Sequence, residues 1–94
     1  MTKDEARMCF RDYVQYGGCI QTSNHCRDRM LERNVNMDDM LNVLHWGEIE
    51  TIEYDENHDS WKCKLKGKDI DGNELIFLTA LYEPCHTVKC VTVF

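Results

Sequence analysis

His25, Arg29 and Arg33 recur every four residues within TSNHCRDRMLER, residues 22–33. On a helix that spacing sets one imidazole and two guanidiniums along a single stripe, one turn apart. Two fixed cations beside a group that titrates near neutral pH suit an anion. Phosphate fits well, because its oxygens match the guanidinium fork. Glu32 lies next to them and can pair Arg29 or Arg33. The plainer reading is a solvated helix face whose ion pairs contribute little to stability. Cys26 and Met30 fall roughly 100° round the same helix, where they can face a sheet.

Other residues supply candidate chemistry. Tyr54, in EIETIEYD, offers a hydroxyl, or else a packed aromatic ring. Lys62, Lys64 and Lys66 alternate through SWKCKLK and form a basic strip that can track a polyanion, or simply keep an exposed strand face soluble. His86 is a further acid or base candidate in a turn. Cys85, His86 and Cys90 in CHTVKC are too few and wrongly spaced for a zinc centre, so no metal or other cofactor is expected.

The elements that must position these groups follow from caps and periodicity. Thr2 and Glu5 make a capping box, Ala6, Cys9, Phe10, Tyr13 and Val14 keep helical spacing, and Gly17 and Gly18 stop the helix. Thr22 or Ser23 caps a second helix running to about Arg33. Asn36 caps a third, with Asp38 and Asp39 in its first turn and Gly47 at its end. The pattern then turns to strands at 48–55, 60–66, 74–82 and 87–94, with Asp71-Gly72-Asn73 as a turn. This predicts an α+β domain, with N-terminal helices packed on one face of a four-stranded antiparallel sheet. Trp61, Cys63, Leu65, Ile76, Leu78, Val91 and Val93, or their strand neighbours, should form the core. Both faces of 74–82 are apolar, so its parity stays open.

The 94 residues suffice for one domain. The formal net charge is −6, and residues 48–94 carry most of it, with ten acidic groups against five basic ones. An acidic chain is no general binder of nucleic acid, so any such binding must rest on a local patch, and DNA is not expected as a partner. The run Glu48, Glu50, Glu53, Asp55, Glu56 and Asp59 would repel RNA placed near it. The six cysteines lack CxxC spacing and the opening MTKDEARMCF has no leader character, so reduced thiols and a cytoplasmic location are expected. No stretch is apolar enough to suggest a membrane partner.

Residues 20–49, IQTSNHCRDRMLERNVNMDDMLNVLHWGEI, carry His-x-x-x-Arg-Met-x-Glu-Arg followed by a short link, a helix and a Gly. This resembles a widespread bacterial family of unknown function grouped with the RelE/ParE-like toxins of the barnase–colicin–RelE fold. The likeness extends over 20–94, through the DG turn to the final VTVF strand, and leaves 1–19 as an extra N-terminal helix. It implies a RelE-like fold and a toxin-type component with an antitoxin partner, in some relatives one with a zinc-binding segment like that of MqsA antitoxins. It also implies metal-independent endoribonuclease activity. By motif, His25, Arg29, Glu32 and Arg33 carry over as catalytic residues. Tyr54 is added as a hydroxyl donor, and Lys62, Lys64 and Lys66 as an RNA track. Phe94 stands where such toxins often end in a Tyr or a basic residue. The competing expectation is a non-catalytic protein-binding module of the same fold, in which the His/Arg/Glu cluster is structural.

Overall fold

The computed structural model describes residues 1–83 and 86–94. Cys85, considered above as a metal ligand, lies outside the described residues. The chain runs α1 (Lys3–Tyr16), β1 (Cys19–Thr22), α2 (Asn24–Glu32), α3 (Met37–Trp46), β2 (Glu48–Asp55), β3 (Ser60–Lys68), β4 (Glu74–Tyr82) and β5 (Thr87–Val93).

The helices begin where their caps dictate. In α1, Glu5 N donates to Thr2 Oγ1 and Thr2 N to Glu5 Oε1, both at 3.1 Å. Gly17, at φ 96°, takes the left-handed conformation that ends the helix. Asn36 and Asp39 make the same reciprocal box on α3. Asp39 is also buried and accepts Ile70 N at 3.0 Å, which holds the β3–β4 loop against α3.

The sheet corrects the expectation of four antiparallel strands. It has five, in the order β1-β5-β4-β3-β2, and is mixed, because β1 runs parallel to β5. Cys19–Thr22 holds only one well-shielded apolar candidate, Ile20, and pairs with the far end of the chain, so nothing local announces a strand.

Two bulges set which side chains face the helices. In β2 the register shifts between Ile49 and Thr51, so Ile49 and Ile52, three residues apart, stand opposite Leu65 and Cys63 on the same face. In β5 the shift leaves Val91 as the extra residue, and Cys90 and Val93 stand opposite Thr79 and Phe77. The core therefore joins Phe10, Met40, Val43 and Leu44 to Cys63, Leu65, Phe77, Leu81, Val88 and Val93. Trp61 packs at its margin. The parity of β4 is settled against Ile76 and Leu78: they share the far face with the lysines of β3, and Val91 is 40% exposed. Among the described residues, no helix is long and apolar enough to cross a membrane.

Candidate functional site

Helices cover one face of the sheet, and the other carries a groove of about 530 Å³. Its floor is Leu78, Ala80 and Val91, and its charged lining is Lys62, Lys64 and Lys89 against Glu53 and Asp55. Three lysines against two carboxylates make this lining net positive on a chain of net charge −6. A second depression adjoins it at Ser23 and Lys89 and adds Arg27.

Register explains the groove. Thr51, Lys64, Leu78 and Thr92 form one row across β2, β3, β4 and β5. Glu53, Lys62, Ala80, Lys89 and Gln21 form the next and reach β1. Two of the lysines are matched by carboxylates of their own face: Lys62 to Asp55 at 3.5 Å and Lys64 to Glu50 at 3.6 Å. Lys66 pairs Glu74 at 3.5 Å and stands outside the groove. Among the described residues, Lys89 and Arg27 have no carboxylate partner, so the unmatched positive charge gathers at the β5–β1 end.

Helix α2 starts at that end. Ser23 caps it by accepting Cys26 N, while its own N donates to Cys90 O and its hydroxyl to Val91 O at 2.8 Å. The bulge at Val91 thus ties the first turn of α2 to β5. One residue into the helix, His25 is exposed, and its Nε2 lies 3.1 Å from Oγ1 of the buried Thr92. Thr92 closes the Thr51–Lys64–Leu78 row, so His25 stands at the rim of the open face.

The remaining motif residues divide. Arg29, one turn on, is 3.3 Å from Glu32, so that pair is satisfied internally. Arg33 is the exposed C-cap, about 12 Å along the axis from His25 at 1.5 Å per residue. Arg33 and His25 therefore reach different groups of an extended ligand. Tyr54 is not brought to them. It pairs with Trp61 on the helix-side face, three strands away from β5, with the rings 5.2 Å apart. Its hydroxyl bonds Asp59, and that carboxylate raises its pKa, which keeps it protonated. His86 stacks on Tyr13 with ring centroids 5.6 Å apart.

The β2–β3 hairpin contributes groups that the motif does not contain. His58 Nδ1 is 2.8 Å from Asp55 Oδ2. A carboxylate only accepts, so Nδ1 carries the proton and donates, leaving Nε2 free. That contact holds the Asp55 carboxyl below its usual range. Lys89 was legible as the outward partner of Val88 and Cys90 in the alternation of β5. The Asp55–His58 contact depends on the turn between β2 and β3. Among the described residues, no group of three or more His, Cys, Asp and Glu side chains is placed to hold a metal ion.

No curated protein and no solved structure matches the chain. A family model described as a domain of unknown function, DUF4258, matches residues 22–94, from the cap of α2 to the last strand, and the chain belongs to that family.

Proposed function

We propose that the chain is a toxin-type domain of RelE-like fold that acts on single-stranded RNA, with an antitoxin as its protein partner. The observation that carries this reading is the net-positive groove on an otherwise acidic molecule, with His25 at its rim. Phosphate binding needs local cations, and this groove gathers them on the uncovered face. The likeness of residues 20–94 to RelE/ParE-like toxins supports the assignment.

Metal-independent cleavage moves the 2′-hydroxyl proton off as that oxygen attacks phosphorus. The P–O5′ bond then breaks and O5′ takes up a proton. His25 is the proton-transfer group, exposed and held at Nε2 by Thr92. Arg29 sits near enough to share its phosphate, and Arg33 meets a neighbouring one. Tyr54 has no part in this scheme. Lys62 and Lys64 line the track, and Lys66 lies beyond it.

A binding module without catalysis is the second reading, favoured by one contact. If His25 serves to fix α2 to β5 through Thr92, its loss costs about 0.5–1.5 kcal/mol and no activity. Expression of wild type and His25→Ala, scored for growth arrest and RNA decay, with melting curves of both proteins, separates the two. The nuclease reading expects activity to fall by roughly 10²–10⁴ with little change in melting. Unaltered RNA decay with a lowered melting temperature refutes it.

A further inference from the structure

The hairpin end of the groove holds an unexplained polar group. Ser60 is 1% exposed, and its hydroxyl oxygen has no hydrogen-bond partner among the described residues. A buried hydroxyl left unpaired costs free energy. Ser60 lines the groove opposite Asp55, beside the only end where an aromatic ring, Tyr82, reaches the same face.

Around that hydroxyl stand three further groups. Asp55 is held between His58 at 2.8 Å and Lys62 at 3.5 Å, so its charge is matched from both sides. The His58 Nε2 remains free to bond a ligand. Tyr82 is half-buried in the groove wall and presents a π-face, the feature on which nucleobases stack without sequence preference.

We infer that Ser60, His58 and Tyr82 form a nucleotide subsite for a single-stranded RNA. The base stacks on the Tyr82 ring, a ribose hydroxyl bonds the buried Ser60 oxygen and His58 Nε2, and Lys62 faces the phosphate. The inference rests on the RNA reading of the groove and adds a place where one nucleotide is gripped. This site is distinct from His25. Three strand spacings of about 4.8 Å separate β2 from β5, so the two sites engage different nucleotides of one strand. Asp55 keeps His58 oriented and is a positioning residue.

The test uses the full chain carrying His25→Ala, so that bound RNA stays intact, and fluorescence anisotropy with a labelled single-stranded oligoribonucleotide and its deoxy counterpart. Tyr82→Ala should weaken RNA binding by roughly tenfold, the loss of one stacked base, while Tyr82→Phe retains it. Ser60→Ala should weaken RNA several-fold and leave the deoxy strand unchanged, which removes the preference for ribose. His58→Ala should act in the same direction as Ser60→Ala. Melting curves confirm that each variant is folded, and Tyr82→Phe and Ser60→Ala preserve the packing should Tyr82→Ala unfold. Equal RNA affinity in Tyr82→Ala and Ser60→Ala overturns the subsite, as does a protein that binds no RNA. RNA bound through these residues by a wild-type protein that cleaves nothing upholds the subsite and refutes the nuclease. RNA cleaved by wild type at an unaltered KM in both variants does the reverse.

Discussion

The salt dependence of RNA binding measures how many groove cations are free. Each phosphate neutralised on a single strand contributes a slope of about −0.7 to log Kobs against log salt, through counterion release. Four cations line the groove and its extension: Lys62, Lys64, Lys89 and Arg27. Lys62 and Lys64 already face Asp55 and Glu50 within 4 Å, so they hold little atmosphere to release. The slope should therefore be about −1.4, from Lys89 and Arg27, and not about −2.8. Between 50 and 200 mM salt that is roughly a sevenfold loss of affinity, against roughly fiftyfold for four free cations. The double variant Arg27→Ala/Lys89→Ala should flatten the slope almost to zero. Lys62→Ala should lower affinity, because Asp55 then has only His58 to oppose it, yet leave the slope in place. Both altered residues of the double variant lie at the surface, so stability should shift little. Anisotropy titrations at four salt concentrations read these slopes. A wild-type slope near −2.8 that falls equally in Lys62→Ala and Lys64→Ala would show that the ion pairs break on binding, and would refute the division into matched and free cations.

Three further outcomes follow from the packing and the ionisable groups. A Cβ at Gly47 would stand 2.5 Å from Val43 O and 3.0 Å from Lys66 O, both backbone atoms. Gly47→Ala should thus cost about 1–3 kcal/mol and lower the melting temperature by roughly 5–20 °C; a shift under about 2 °C contradicts the close approach. The Asp55 carboxyl has a lowered pKa, chiefly through His58, so its contribution is present at neutral pH and is lost as pH falls below the unfolded value of about 3.9. Melting temperature plotted against pH should fall less steeply in acid for Asp55→Asn than for wild type, and superimposable curves would oppose this. Burial pushes the Cys63 thiol up to about 12 and raises Cys26 and Cys90, whereas Cys19 is exposed. Alkylation near neutral pH, followed by mass spectrometry, should label Cys19 quickly and the other three only in denaturant. Equal labelling of Cys63 and Cys19 would refute the burial.

What was readable from the sequence depended on how far apart the interacting residues lie along the chain. Capping joins residues three apart, so Thr2 with Glu5, Ser23 with Cys26 and Asn36 with Asp39 were visible as helix starts. β1 was not, because four residues with one useful apolar side chain become a strand only when β5 arrives beside them. The two bulges lay between these extremes. Ile49 and Ile52, and again Cys90 and Val93, are three apart in strands of period two, and that break in alternation is the mark of an extra residue. The parity of β4 could not be read from β4, whose two faces are both apolar. It is fixed by β3, since Leu65 opposite Phe77 leaves Lys64 opposite Leu78.

The same distinction governs the site. The stripe His25, Arg29, Arg33 was legible as a helical repeat, and so was the pairing of Arg29 with Glu32. The partner that anchors His25, Thr92, belongs to the last strand, and the count of lysines in SWKCKLK gave no measure of how much positive charge the face presents. That quantity is a property of register. Because Asp55 and Glu50 reach across from β2, the apparent basic strip of β3 is nearly neutralised. The cations left free are Lys89, a single lysine in a β-branched strand, and Arg27, which lies off the four-residue stripe of α2. Strand pairing thus moves the electrostatic centre of the open face from β3 to the β5–β1 end, beside the first turn of the helix that carries His25.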